Sequence, residues 1–441
     1  MRLDPRAPWQ PDPRWADALI ILLVTLTTIV GALSLISRAR TARRPSEQVS
    51  LQGRLTEVVL AGPQVLLGRP MTAQDWDKTA SRLSDPWDRA LVAVLRRELE
   101  TTQGPQPLPT LSGEGGAAFR RVSLGAFEHG PLPSAKDRRE VQRRLGRGYG
   151  AALLEARLQD QVGPGTSLRA EARRQLWTRL LLLVALGLAV LGLGVGGLGL
   201  GLTLLATRRP PSHPLPTWGL SGRAAAIVFL VWFLAFFAAG NLVGVMLLPW
   251  PTLRWLGLPL GYLLQAGVGV RLITWAEGIS LGELWHRLAP GKPGKDLAWG
   301  GAFVALAVFL VIAVALLTRF IPAPEHNPQR ELQELLQGLR GWPSTLLMFL
   351  TVAGLAPLFE EILFRGFLLP ILSRGGRMGW ALLATALLFG AIHLQPAGLL
   401  TLATLGWVLG LAMRQTGSLR TPVLLHACWN GGLFLLMRGL T

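Results

Sequence analysis

Cysteine is almost missing from this chain. Cys428 is the only one in 441 residues, so neither an intrachain disulfide framework nor a thiolate metal cluster can hold the fold together. Charge is scarce as well, at 16% of residues, and acidic charge scarcer still, with 26 Asp and Glu against 44 Lys and Arg. A chain that is 50% hydrophobic with so few charges is not disordered, not collagen-like and not an ordinary soluble enzyme. Its net charge of +18 raises the question of a nucleic-acid surface. The basic residues, however, sit in blocks between long uncharged runs, as residues flanking membrane spans do, and no nucleic-acid partner is expected.

The apolar run 18–36 extends about 28 Å as a helix, close to the thickness of a bilayer core. Arg38, Arg40, Arg43 and Arg44 follow it at once, as stop-transfer residues do. Ala32-Leu33-Ser34 loosely resembles a signal-peptide cleavage site, but the length of the run and its arginine flank favour a retained span. From 45 to about 176 the composition becomes Arg-rich and soluble. Ser84-Asp85-Pro86 caps one expected helix, Ser134 precedes another through Arg144, and 151–158 resumes it after Gly146, Gly148 and Gly150. The stretch 103–116, rich in Pro and Gly, reads as a flexible connection. The run from Arg138 to Arg144 reads as a solvated or headgroup-facing surface, and this segment holds no catalytic constellation.

Beyond Arg179 apolar segments follow one another: 180–206, 224–248, 256–273, 297–317, 344–372, 378–393, 397–413 and 422–437. The glycines from Gly187 to Gly201 predict tight helix packing in the first of these. Between 327 and 340, Leu332, Leu335, Leu336 and Leu339 share one face of a short amphipathic interfacial helix. The expected fold class is all-α: a polytopic transmembrane helical bundle of about eight to nine spans with an inserted, mainly helical soluble module. Its divisions are a first span with flanks (1–44), the soluble module (45–176), accessory membrane helices (177–343) and a membrane core (344–441). Trp218, Trp250, Trp255, Trp275 and Trp342 near span ends predict an interfacial belt.

From Ser344 to Thr441 the only acidic residues are Glu360 and Glu361, and the only histidines are His393 and His426. Ionisable groups at membrane depth cost about 2.5–3.5 kcal/mol each on insertion scales, so four of them in apolar spans point to function. A lone polar residue there is as readily a tie between helices; Asn241 and Gln265 are read that way, and Glu277 and Glu283 as reaching the interface. His129, His213, His286 and His326, scattered outside these spans, are read as surface or loop residues. The spacing sets the four apart. Glu361 and Arg365 are four apart on one helix face, while Glu360 points about 100° away. A carboxylate paired with arginine stays charged and leaves its neighbour for proton transfer, the division a general base needs. His426 and Asn430, again four apart, present two donors suited to an oxyanion. His393 closes Phe389-Gly390-Ala391-Ile392-His393 at an expected helix end.

Glu-Glu-x-x-x-Arg, Phe-x-x-x-His and His-x-x-x-Asn, in that order on three spans, resemble the CPBP family of intramembrane endopeptidases, which includes the CAAX prenyl proteases and bacterial proteins linked to bacteriocin processing and self-immunity. The resemblance covers about the last hundred residues, including the approach Arg414-Gln415-Thr416-Gly417-Ser418-Leu419. It implies peptide-bond hydrolysis without an acyl-enzyme: Glu360 and His393 activating water, His426 and Asn430 stabilising the oxyanion, Glu361 and Arg365 supporting the site. Cys428, two positions from His426, is poorly placed as a nucleophile. The family has also been described as metalloproteases, and Glu360, His393 and His426 offer three zinc ligands; with no His-Glu-x-x-His, no metal or other cofactor is expected. The expected partners are a membrane protein or peptide substrate and the lipid bilayer, in the cytoplasmic membrane. Loop charges give a weak preference for an external soluble module. A catalytically silent scaffold or immunity-type protein is the rival reading; a proton-carrying transporter is disfavoured for want of an internal repeat.

Overall fold

The computed structural model describes residues 7–42, 49, 51–67, 71–83, 85–99, 108–128, 130–146, 148–161, 163, 165–207, 211–291, 293–318, 339 and 341–440. Among the described residues every regular element is helical. The protein is an all-α, multi-pass membrane protein. Six helices are long and apolar enough to cross a bilayer: Trp15–Leu33, Thr166–Leu204, Gly222–Met246, Thr252–Glu277, Pro293–Thr318 and Trp342–Leu372. The last three expected spans are helices too. One is apolar but short, and the other two carry Arg414, His426, Asn430 and Arg438.

In chain order the helices are α1 (Pro13–Ala42), α2 (Leu51–Leu67), α3 (Ala73–Ser81), α4 (Pro86–Leu99), α5 (Gly113–Glu128), α6 (Ala135–Leu145), α7 (Tyr149–Gln159), α8 (Thr166–Thr207), α9 (Gly222–Met246), α10 (Gly257–Glu277), α11 (Leu281–Leu288), α12 (Pro293–Thr318), α13 (Trp342–Leu372), α14 (Met378–Ile392), α15 (Leu399–Thr416) and α16 (Arg420–Leu440). They divide into two compact units, one of Met1–Arg40, Ala189–Pro328 and Gly338–Phe434, the other chiefly Thr41–Leu188. All of the expected amphipathic helix at 327–340 except Leu339, together with His129 and His326, lies outside the described residues.

The first unit is built on aromatic packing. Trp232 of α9 meets Phe359 of α13 at 5.5 Å between ring centroids, and Phe364 of α13 meets Phe389 of α14 edge-on at 5.6 Å. α14 and α15 approach closely because glycines line their contact. A Cβ on Gly390 would lie 2.8 Å from the Leu399 carbonyl oxygen, and one on Gly410 2.7 Å from Leu382. The glycine run of α8 behaves differently from expectation. Gly197 packs against Ala305, where a Cβ would stand 2.1 Å from the carbonyl oxygen, whereas Gly187, Gly192, Gly194 and Gly199 have nothing within 4 Å.

Two buried carboxylates pin loops in this unit. Glu277 accepts the backbone N–H groups of Gly219 and Leu220, at 3.1 and 2.9 Å, so it does not reach the interface as expected. Asp296 accepts from Ser418 Oγ at 2.7 Å and from Arg420 Nη1 at 3.1 Å, fixing the turn that launches α16. Trp218 is buried rather than interfacial and donates its indole N–H to the Gly366 carbonyl at 2.9 Å. Asn241, expected to bridge helices, bonds back to Phe237 within α9.

In the second unit α2 to α7 surround a core that includes Trp76, Trp87, Leu91, Leu95 and Phe119. Ser134 caps α6 as its position predicts, accepting the Asp137 N–H at 3.1 Å. Arg121, and then Ser134, hold the Asp137 carboxyl down at about 2. The Gly–Pro stretch expected to be a connection ends in α5 instead. Gly115 and Gly116 are buried there because a Cβ would stand 2.4 Å from Arg144 Nε and 2.1 Å from the Leu111 carbonyl oxygen. Gly146 and Gly148 likewise make room for the buried Arg54–Glu57 pair, and Glu57 also accepts the Gly150 N–H at 2.7 Å.

Candidate active site

Two prolines shape the helix that carries the glutamates. Pro has no N–H and clashes with the preceding turn, so a proline inside a helix forces a local change of register. α13 accordingly widens into π turns at Thr351–Leu355 and Ile362–Leu368, each ending just before a proline, Pro357 and Pro370. π turns interrupting an α-helix are frequent at functional sites. Between them lies the α segment Ala356–Glu361, which carries Phe359, Glu360 and Glu361.

In the first π turn the N–H of Ala356 bonds to the Thr351 carbonyl, five residues back. The next bond of that register would run from residue 357 to Val352, and Pro357 has no proton to give it. Asn430 of α16 supplies the missing donor: its Nδ2 bonds to the Val352 carbonyl at 3.1 Å. At the other π turn Trp218 does the same for Gly366, four residues ahead of Pro370. Backbone acceptors freed by the prolines thus tie other parts of the unit to α13.

Glu361 and Arg365 are both fully buried and bond at 2.9 Å between Oε1 and Nη1. Arg365 also donates from Nη2 to the Gly406 carbonyl of α15 at 2.9 Å, and its guanidinium lies 4.6 Å from the Phe389 ring centroid. The same Glu361 oxygen is 2.9 Å from His426 Nδ1. An ion-paired carboxylate only accepts, so Nδ1 of His426 is the donor and the ring is oriented with Nε2 away from Glu361. That Nε2 lies 4.0 Å from Glu360 Oε2. This is too long for a hydrogen bond, yet one water at about 2.8 Å from each atom spans it. Glu360 Oε2 is buried with no hydrogen-bond partner among the described residues, while its Oε1 accepts from the Tyr262 hydroxyl of α10 at 3.3 Å.

His393 stands at the C-terminal end of α14, where its Nδ1 donates to the Phe389 carbonyl at 2.7 Å, placing the neutral ring's lone pair on Nε2. Leu394, just beyond it, has a positive φ of 52° and turns the chain away from the helix. The Phe389 ring lies 4.9 Å from the His393 ring and 5.6 Å from the His426 ring, and so spaces the two imidazoles.

The structure therefore brings Glu360, Glu361, Arg365 and His426 into one network and sets His393 against it across Phe389. Asn430 is on the same helix as His426, and its Nδ2 donates one proton to the Val352 carbonyl. Among the described residues no group of three or more His, Cys, Asp or Glu side chains is placed so that it could hold a metal ion. Cys428 is exposed. Sequence reasoning passed over Tyr262, Gly406 and Val352. Two of these act through backbone oxygens, which no residue type advertises; Tyr262 is one of only two tyrosines in the chain.

Residues 342–432 match the family model described as Rce1-like, type II CAAX prenyl endopeptidase. Over 91 residues the chain is 44% identical to an Escherichia coli protein described as an uncharacterized 24.3 kDa protein. The matched stretch is 19% of this chain and 41% of that protein, so the chain spans less than half the length of the curated relative. No solved structure matches the chain. The match begins at the first residue of α13 and ends within α16, enclosing Glu360, Glu361, Arg365, His393, His426 and Asn430. Residues 342–432 of the chain are thus similar to the Rce1-like, type II CAAX prenyl endopeptidase family.

Proposed function

We propose that this protein is an intramembrane endopeptidase of the cytoplasmic membrane, hydrolysing a peptide bond in a membrane-associated protein or peptide. The observation that carries the reading is the unpartnered, buried Glu360 Oε2 facing His426 Nε2 at 4.0 Å, inside the segment that resembles a protease family. Glu360 is the general base. It takes a proton from a water as that water attacks the carbonyl carbon, and returns it to the leaving amine as the C–N bond breaks. A positioned base contributes about 10²–10⁴-fold. His393 is the second group on the attacking water.

His426, as the imidazolium that donates from Nε2 while its Nδ1–H stays on Glu361, and Asn430 stabilise the tetrahedral oxyanion, each such donor contributing about 10²–10³-fold in kcat. Glu361 orients the imidazole of His426, and Arg365 neutralises Glu361. Asn430 Nδ2 carries two protons, and anchoring one on Val352 aims the other. Catalysis proceeds without a metal in this reading, so cleavage by the purified protein is expected to withstand chelators; loss on chelation and recovery with zinc would refute that part. The prenyl group in the family description is not carried over to the substrate.

The decisive experiment compares membrane peptidomes from cells with the wild-type protein and with Glu360→Ala or His393→Ala. Each variant is expected to accumulate an uncleaved substrate while remaining folded and inserted. Full biological activity in both variants would replace the protease reading with that of a scaffold or immunity-type membrane protein.

A further inference from the structure

We infer that Tyr262 is a positioning residue for Glu360, contributed by a helix outside the segment that matches the protease family; the inference rests on the proposed peptidase function. Tyr262 lies on α10, eighty residues before residue 342. Its hydroxyl donates to Glu360 Oε1 at 3.3 Å. The two oxygens of Glu360 are thereby made unlike: Oε1 is held by the phenol, and Oε2 is left facing His426 Nε2.

That distinction needs a holder, because the last torsion of a glutamate side chain is broad and nearly two-fold. Without a bond to one oxygen the carboxylate rocks, and its lone pairs have no fixed aim. In the matched segment Glu361 is fixed by Arg365 and His426, but neither makes a hydrogen bond to Glu360. The phenol is the one hydrogen-bond partner of Glu360 among the described residues.

The register of α10 supports the assignment. Gly269, two helical turns beyond Tyr262 and on the same face, leaves room for the Phe359 ring; a Cβ there would stand 2.5 Å from Phe359 Cζ. Trp232 of α9 meets both the glycine and the ring: that Cβ would stand 2.6 Å from Trp232 Cδ1, and the Trp232 and Phe359 ring centroids are 5.5 Å apart. α10 is therefore docked on the residue next to Glu360, which sets where the phenol falls. The hydroxyl sits in an otherwise apolar part of the helix, between Leu260 and Leu263, where a phenylalanine would fill the same space without a polar atom to satisfy.

Tyr262→Phe tests the inference, since it removes one oxygen and keeps the ring. Kinetics in detergent or proteoliposomes on the substrate found by peptidomics are expected to show kcat reduced about tenfold or more, with KM changed less than about twofold and the thermal midpoint unchanged. Wild-type kcat in Tyr262→Phe would overturn the inference. A raised KM at unchanged kcat would overturn it too, placing the phenol on the substrate instead. A second readout is independent of turnover. Tyr149→Phe leaves Tyr262 as the sole tyrosine, so its 13Cζ resonance in labelled protein reports the phenol's hydrogen bond. The resonance is expected to move in Glu360→Ala and to stay in place with Cys428→Ser; no movement in Glu360→Ala overturns the contact even if Tyr262→Phe proves unstable. If the wild-type protein cleaves nothing, the positioning role falls with the peptidase reading, and a shifted resonance would then identify the peptidase reading, not the contact, as the error.

Discussion

Replacing Arg365 with methionine removes the cation from a fully buried pair while keeping the length of the side-chain stem. Three contacts go together: the 2.9 Å bond to Glu361, the 2.9 Å bond to the Gly406 carbonyl and the stacking 4.6 Å from the Phe389 ring centroid. An uncompensated buried charge costs about 3–5 kcal/mol. A charged donor on a carbonyl is worth about 1.5–3 kcal/mol, and a cation over an aromatic face about 0.5–2 kcal/mol. These do not add, since one side chain makes all three, and His426 stays 2.9 Å from Glu361 to offset part of its charge. The expected net loss is at least about 3 kcal/mol, a more than hundredfold fall in the ratio of folded to unfolded protein. Arg174 and Glu171 form an exposed pair that supplies the yardstick, and Arg174→Met is expected to cost less than about 1 kcal/mol. Denaturant unfolding in micelles, followed by tryptophan fluorescence, measures both variants on one scale. Glu361→Gln and the double variant complete the cycle. The double variant leaves no stranded ion, so its loss is expected to fall short of the sum of the two single losses. If Arg365→Met loses no more than Arg174→Met, neither the buried pair nor the bond from Arg365 to the Gly406 carbonyl of α15 contributes as argued, and the reasoning fails.

Gly197→Ala and Gly194→Ala should separate within one helix. The first drives a methyl into the Ala305 carbonyl and is expected to cost about 1–3 kcal/mol, whereas the second meets nothing and is expected to be neutral or slightly stabilising in the same unfolding assay. In the second unit, Asp137 binds a proton less readily folded than unfolded, its folded value lying at about 2 against 3.8. Its contribution is therefore complete above the unfolded value and is lost as pH falls through about 2. Amide protection of α6 is expected to drop over that window in the wild type and to lose that component of its slope in Asp137→Asn. Pro357→Ala offers the Val352 carbonyl a backbone N–H in competition with Asn430, so a reduced kcat at unchanged stability is expected; unaltered kcat would show that anchoring Asn430 is not needed for turnover.

Much of the site was legible because acid is so rare in the last quarter of the chain. Glu360 and Glu361 stood out by composition, and the spacing of four correctly paired Glu361 with Arg365. The same spacing rule put His426 and Asn430 on one face, but helical periodicity says only which residues share a face, not which partners they find. His426 turns to Glu361 and Asn430 to a backbone oxygen created by Pro357. Pro357 and Pro370 were visible as residues, yet the π turns they accompany depend on packing that no local pattern records. Tyr262 was missed for a related reason: its partner lies ninety-eight positions away, and a lone hydroxyl in an apolar helix looks like any membrane tyrosine. In the second unit, glycines at 115 and 116 read as flexibility when they mark close packing against Arg144 and Leu111. Membrane helices were easier, because length and apolarity alone declare them.

The bond from Asn430 to the Val352 carbonyl has a genetic consequence. Its acceptor belongs to the main chain, so no substitution at position 352 can delete it, and an alanine scan along 351–356 will pass over it in silence. The inheritable control sits elsewhere, at Asn430 as donor and at Pro357 as the residue that keeps the acceptor vacant. Substitutions that act directly on this anchor fall at those two positions, and a proline that resembles a mere helix breaker carries information about the geometry of the candidate site.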